Sequence, residues 1–197
     1  LEAPTMFQIA TTVGKLLRDT IAASDATNGQ EAMGTFTASM IVAGQINGME
    51  PRLFLIYPEG NFIEASFDTP FFQIGETKYG RPILIRGYER TMTFENAIKL
   101  LMVSFDSTLK ANLSVGLPLD MVVYQAGSLH TDRIMCIDEH NPYFQMLRSS
   151  WGDKLRQMFD SIEDPMWHGG ATEVPLMVPA ARNTVLKKIT TPDEKLI

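Results

Sequence analysis

Cysteine is nearly absent: Cys136 is the single one among 197 residues. A disulfide framework within the chain is therefore excluded, as is a cysteine-rich metal site. Histidine is sparse too, and His130, His140 and His168 lack ligand spacing, so no metal is expected. There is no basic run and no interleaving of basic with aromatic residues. With 17 basic against 23 acidic residues the net charge is −6, which argues against a nucleic-acid partner. No apolar run approaches the roughly 20 residues needed to span a bilayer, and no signal-peptide pattern opens the chain. The expectation is a cytoplasmic protein with no membrane partner. The first residue is Leu1 rather than Met, as in a processed product, a fragment, or the ordered part of something longer.

What is present is ordinary globular composition, 45% apolar and 20% charged, enough for one good core. Pro4 suits the first turn of a helix. Met6, Ile9, Ala10, Val13, Leu16, Leu17 and Ile21 then recur at three and four and form one apolar stripe. Residues 36–46 read as a strand apolar on both faces, hence covered on two sides. Asn47-Gly48 turns the chain into a strand at 52–57. Pro58-Glu59-Gly60-Asn61 turns it again into a strand at 62–66, completing an antiparallel meander. Asp68-Thr69-Pro70 breaks the strand pattern. Gly75 then permits a tight turn at the mouth of a helix, with Glu76 in its first turn, where negative charge is favoured.

A short helix is expected over 78–88, interrupted or restarted at Pro82. Thr93 caps the next, with Phe94, Ala97, Ile98, Leu101, Phe105 and Leu109 as its buried stripe. Residues 112–118 form a loop, and strands at 119–124 and 133–137 form a hairpin. Asn141-Pro142 starts a last helix. Its inner face is Phe144, Leu147, Trp151, Leu155, Met158, Phe159 and Ile162. From His168 periodicity fades, leaving either a mobile extension or an arm that packs on a neighbour. Helices and grouped antiparallel strands make an α+β protein. Cys136 is expected as a buried thiol. Asp106-Ser107-Thr108 is expected on a helix face packed on the sheet or on a partner.

That order, with the residues at its joints, resembles the later two-thirds of a proteasome β-type subunit. Ser39-Met40-Ile41-Val42-Ala43-Gly44 and the run 51–60 look like that family's central hairpin. Phe72-Gln73-Ile74-Gly75-Glu76-Thr77-Lys78-Tyr79-Gly80-Arg81-Pro82 is similar to its bacterial ancestral β-subunit branch, Anbu. So are Val103-Ser104-Phe105-Asp106-Ser107-Thr108 and Asn112-Leu113-Ser114-Val115-Gly116-Leu117-Pro118-Leu119-Asp120. The resemblance covers residues 1–167 as a partial β-subunit domain and leaves 168–197 as a C-terminal extension. It implies the four-layer α-β-β-α sandwich of the N-terminal-nucleophile hydrolases, here lacking the first strands and helix.

The resemblance also implies the chemistry. A Thr or Ser whose own α-amino group acts as base attacks a peptide carbonyl. Leu1 cannot be that nucleophile, which would lie upstream. What remains is the supporting side of the site. Asn112 falls where the family has an Asp, so it cannot carry the family's anion. Ser114 can hydrogen-bond the nucleophile's amine, and Gly75 and Glu76 reach the same region from the substrate side. No cofactor is implied. The expected partners are a peptide or protein substrate and further copies of the chain in a ring or open spiral. The rival reading is a non-catalytic assembly subunit of the same fold, and a small-molecule amide hydrolase on that fold is a third.

Overall fold

The computed structural model describes residues 4–28, 36–131 and 133–165. It divides the chain into two units, residues 1–159 and 160–197. The extension expected at 168–197 lies outside the described residues.

Thr5 opens the first helix: its hydroxyl accepts the Gln8 amide at 3.2 Å. Helix α1 (Met6–Asn28) therefore starts two residues past Pro4. Met6, Ala10, Gly14 and Leu17 are its buried face, whereas Leu16 of the expected stripe is 65% exposed. That face lies on a three-stranded antiparallel sheet of β1 (Met40–Gly44), β2 (Arg52–Ile56) and β3 (Phe62–Glu64). Register pairs Met40 with Ile56 and Leu55 with Ile63. Gly48 and Gly60, at φ +78° and +88°, sit in the left-handed region that the two turns need. Gly60 also meets α1 at Gly14. A Cβ on Gly14 would lie 2.2 Å from the Gly60 carbonyl oxygen, so this contact requires glycine.

Strand β1 is shorter than its apolar run, since residues 36–39 are outside the ladder. The expected double cover of β1 is also corrected. Val42 joins the core, but Met40, Ile41 and Ala43 are exposed. Among the described residues nothing seals that face.

Helix α2 (Arg81–Gly87) is short and has Pro82 in its first turn. It packs on α3 (Phe94–Ala111), and strands β4 (Leu119–Val123) and β5 (Arg133–Ile137) then pair antiparallel. Helix α4 (Pro142–Asp160) is capped by Asn141, whose side-chain oxygen accepts the Phe144 amide at 3.0 Å. Among the described residues there are two cores rather than one. Met6, Ala10 and Phe54 form the first, under α1. Met102, Val103, Ile137, Phe144 and Leu147 form the second, between α3, the hairpin and α4. Fully burying a side chain such as Phe54 or Phe144 stabilises by about 1.5–3 kcal/mol.

The faces of two helices differ from expectation. Helix α3 buries Met102, Val103, Ser104, Asp106 and Thr108, and leaves Phe94, Leu101 and Phe105 exposed. Ile98, Met102, Val103 and Leu109 of α3 pack in the second core, and Ser104 and Thr108 are buried beside them because Gly80, bare of a side chain, comes down on them. A Cβ there would meet Ser104 Oγ at 2.4 Å and Thr108 Oγ1 at 3.1 Å. On α4 only Phe144 and Leu147 are buried, Trp151 is half-buried, and Leu155, Met158 and Phe159 face outward.

Candidate functional site

After β3 the chain makes a polar turn: Ser66 N–H donates to the Thr69 carbonyl and Thr69 N–H to Ser66 Oγ. Gly75 follows at φ +76°. A Cβ on Gly75 would touch nothing within 4 Å, so glycine is needed there for its backbone rather than for space. That turn redirects the chain before α2 begins at Arg81, so neither Gly75 nor Glu76 is at a helix mouth. Pro82 and Gly80 set the later start.

Freed from a helix, Glu76 reaches the far end of α3. Its Oε1 accepts the Lys78 amide at 3.2 Å, and its Oε2 accepts Asn112 Nδ2 at 2.8 Å. Asn112 is the C-cap of α3, fixed by its own N–H to the Thr108 carbonyl at 2.9 Å. Its side-chain Oδ1 accepts twice from Ser114, from the amide at 2.8 Å and from the hydroxyl at 2.7 Å. Three of the four residues singled out from the sequence are therefore one hydrogen-bonded chain, Glu76–Asn112–Ser114. The fourth, Gly75, supplies the turn that brings Glu76 to it. Glu76 and Asn112 are half-buried and Ser114 is exposed. Ser114 thus presents the solvent end of the chain.

Glu76 and Val115 border a cavity of about 470 Å³ whose walls are mostly apolar, among them Ile41, Phe72, Ile74, Leu101 and Phe105. This cavity lies over the open face of β1 and the exposed face of α3. Gln73 also lines it, with its Oε1 buried and without a hydrogen-bond partner. No group of three or more His, Cys, Asp or Glu that could hold a metal exists among the described residues. No helix among them is long and apolar enough to cross a membrane.

Other singled-out residues lie apart from this cluster. Asp106 is fully buried. Its Oδ1 accepts Arg148 Nε of α4 at 2.9 Å, and its Oδ2 faces Lys110 Nζ at 2.9 Å. That ion cluster joins α3 to α4. Cys136, expected buried, is exposed on β5 opposite Asp120. Local desolvation and the Asp120 carboxylate push its thiol upward, away from the thiolate. Sequence reading missed Gln45 altogether. Its Oε1 accepts Tyr124 Oη and the Gly127 amide, both at 2.7 Å, and its Nε2 donates to the Met49 carbonyl. One side chain so ties the first sheet to the β4–β5 hairpin, and no local pattern signals it.

Comparison with known proteins fits this geometry. The family described as Proteasome subunit matches residues 8–123. No curated protein matches. Among solved structures, Anbu from Hyphomicrobium sp. strain MC1 is 47% identical, with a TM-score of 0.74. The alignment covers 83% of this chain and 65% of that one. Anbu (ancestral beta-subunit) from Yersinia bercovieri is 40% identical, with a TM-score of 0.77, covering 84% and 68%. The helical assembly of the Anbu complex from Pseudomonas aeruginosa gives 38%, 0.77, 84% and 68%. This chain thus spans about two-thirds of the length of these relatives. Helices beside antiparallel sheets are what the proteasome-subunit fold has. The chain belongs to the proteasome subunit family, with the α+β N-terminal-nucleophile fold, and its structural relatives are ancestral β-subunits.

Proposed function

We propose that this chain is the supporting part of a proteasome-like peptidase subunit with an N-terminal Thr or Ser nucleophile upstream of Leu1. The observation that carries the reading is the Glu76–Asn112–Ser114 chain, which runs from a carboxylate bordering an apolar cavity to an exposed hydroxyl. In this reading the nucleophile's hydroxyl adds to the peptide carbonyl while its own α-amine takes the proton. The amine fragment leaves with that proton, and water hydrolyses the ester that remains. Ser114 Oγ accepts a hydrogen bond from the protonated α-amine and so stabilises the ammonium. Gly75 and Glu76 lie on the substrate side, and the apolar cavity takes a side chain of the substrate. Residues 1–167 form the β-subunit domain and 168–197 its extension. The subunit works in the cytoplasm on peptides or proteins, in a ring or open spiral of identical copies.

Asn112 in place of a carboxylate favours a second reading, a non-catalytic assembly subunit of the same fold. Intact mass and N-terminal sequencing of the native protein separate the two, together with hydrolysis of fluorogenic peptide amides. The peptidase reading expects a mass above that of residues 1–197 and a free N-terminal Thr or Ser. It also expects turnover that falls about tenfold or more in Ser114→Ala. A native mass equal to that of residues 1–197, or no hydrolysis of any peptide amide, leaves the assembly reading.

A further inference from the structure

The hydrogen-bond directions within the cluster are fixed by chemistry. The Asn112 carboxamide has two ends, one donating and one accepting. An ionised Glu76 carboxylate can only accept, so the end at 2.8 Å from it is the NH₂. The Ser114 backbone N–H can only donate, so the end at 2.8 Å from it is the oxygen. Both neighbours select one amide orientation, and the flipped one would set oxygen against oxygen and N–H against N–H. Asn112 Oδ1 is thus an acceptor, and the 2.7 Å contact to Ser114 Oγ consumes that hydroxyl's only proton. The lone pairs of Ser114 Oγ left over can accept and cannot donate. The exposed end of the cluster is an acceptor-only oxygen, suited to a cationic donor such as a primary ammonium, and it is poor at holding a carboxylate or a carbonyl oxygen.

We propose that Glu76 is a positioning residue: through Asn112 it holds the Ser114 hydroxyl proton inward, so that Ser114 Oγ faces the site as a hydrogen-bond acceptor for a primary ammonium group. The ammonium being the nucleophile's α-amine rests on the peptidase reading; the hydrogen-bond relay does not. Asn112 cannot itself carry charge, and the acceptor oxygen of Glu76 orients it. Its second oxygen is held by the Lys78 amide on the turn that Gly75 makes. Glu76 is therefore anchored on one side and directs Asn112 on the other.

Two measurements test this on E76Q and E76A of the native protein. In the first, NMR follows the Asn112 carboxamide and the Ser114 amide. E76Q, which keeps an acceptor oxygen, leaves both signals close to wild type, while E76A moves both. Unmoved Ser114 and Asn112 signals in E76A overturn the relay, whatever the protein's activity. The second is steady-state hydrolysis of a fluorogenic peptide amide. E76A lowers kcat about tenfold with KM within about twofold, and E76Q recovers most of that loss. A loss confined to KM, or one that E76Q shares in full, also overturns it, because Glu76 would then contact substrate or act by charge alone. A wild-type protein that hydrolyses nothing sinks the peptidase reading and leaves the relay to the NMR result.

Discussion

Asp106 shows how much one side chain can hold. Its carboxylate is shielded from water, and the two cations that face it, Arg148 and Lys110, keep 38% and 50% of their side chains exposed. Removing the anion leaves those cations free to rehydrate, so the loss falls below that for stranding a buried charge. Asp106→Ala is expected to destabilise by about 2–3 kcal/mol, and Asp106→Asn by less, since it can still accept from Arg148 Nε. Urea midpoints of the two variants check the order; equal losses would show that charge rather than the hydrogen bond dominates. The partner in this contact was not legible beforehand, because Arg148 is 42 residues away on another helix. Asn112 and Ser114 differ in this respect. The resemblance placed them together with Glu76 near one site, and only the hydrogen bonds themselves, with Glu76 pulled off a helix by Gly75, had to come from the structure.

The capped starts of α3 and α4 are readable from the sequence, whereas the start of α2 and part of the faces of α3 and α4 are not. A cap is a local device, and Thr93 ahead of α3 does what its type and position suggest: its hydroxyl accepts the Asn96 amide. The Glu95 carboxylate is held below its ordinary range by its own backbone amide first and by the Thr93 hydroxyl second. A folded-state pKa below the unfolded one contributes stability above the unfolded value and loses it as pH falls through the folded one. Thr93→Ala is therefore expected to cost about 1 kcal/mol near neutral pH. It also removes one of the two hydrogen bonds that depress Glu95, so the penalty relative to wild type narrows in acid. Unfolding curves at neutral and acid pH test this, and a penalty that grows in acid would contradict it. The outer parts of the α3 and α4 stripes differ from expectation because apolar spacing alone cannot say what lies opposite. Along α3 the stripe through Leu101 and Phe105 is as regular as any, yet Gly80 seats α2 on Ser104 and Thr108 instead.

Across the whole molecule, apolar side chains remain in the open on both sides of the cavity under Ile41. Ile41 on β1 is 37% exposed, and Leu101 and Phe105 on α3 are 39% and 43% exposed. On α4, Leu155, Met158 and Phe159 exceed half exposure. Monomeric soluble proteins seldom leave such groups in contiguous patches. Among the described residues one core lies under α1 and one between α3, the hairpin and α4. The unsealed surfaces lie between and around them. The antiparallel meander and hairpin were legible from their turn residues. The open faces were not, since alternation of apolar residues marks which side is greasy without naming its cover. Residues 1–197 expressed alone are therefore expected to associate or precipitate, with light scattering giving a mass above 22.0 kDa. Raising salt should strengthen that association rather than dissolve it, because apolar burial is strengthened by excluded salts while ion pairs are screened. A monodisperse monomer with cooperative unfolding would mean that these faces are sealed in solution by the chain itself.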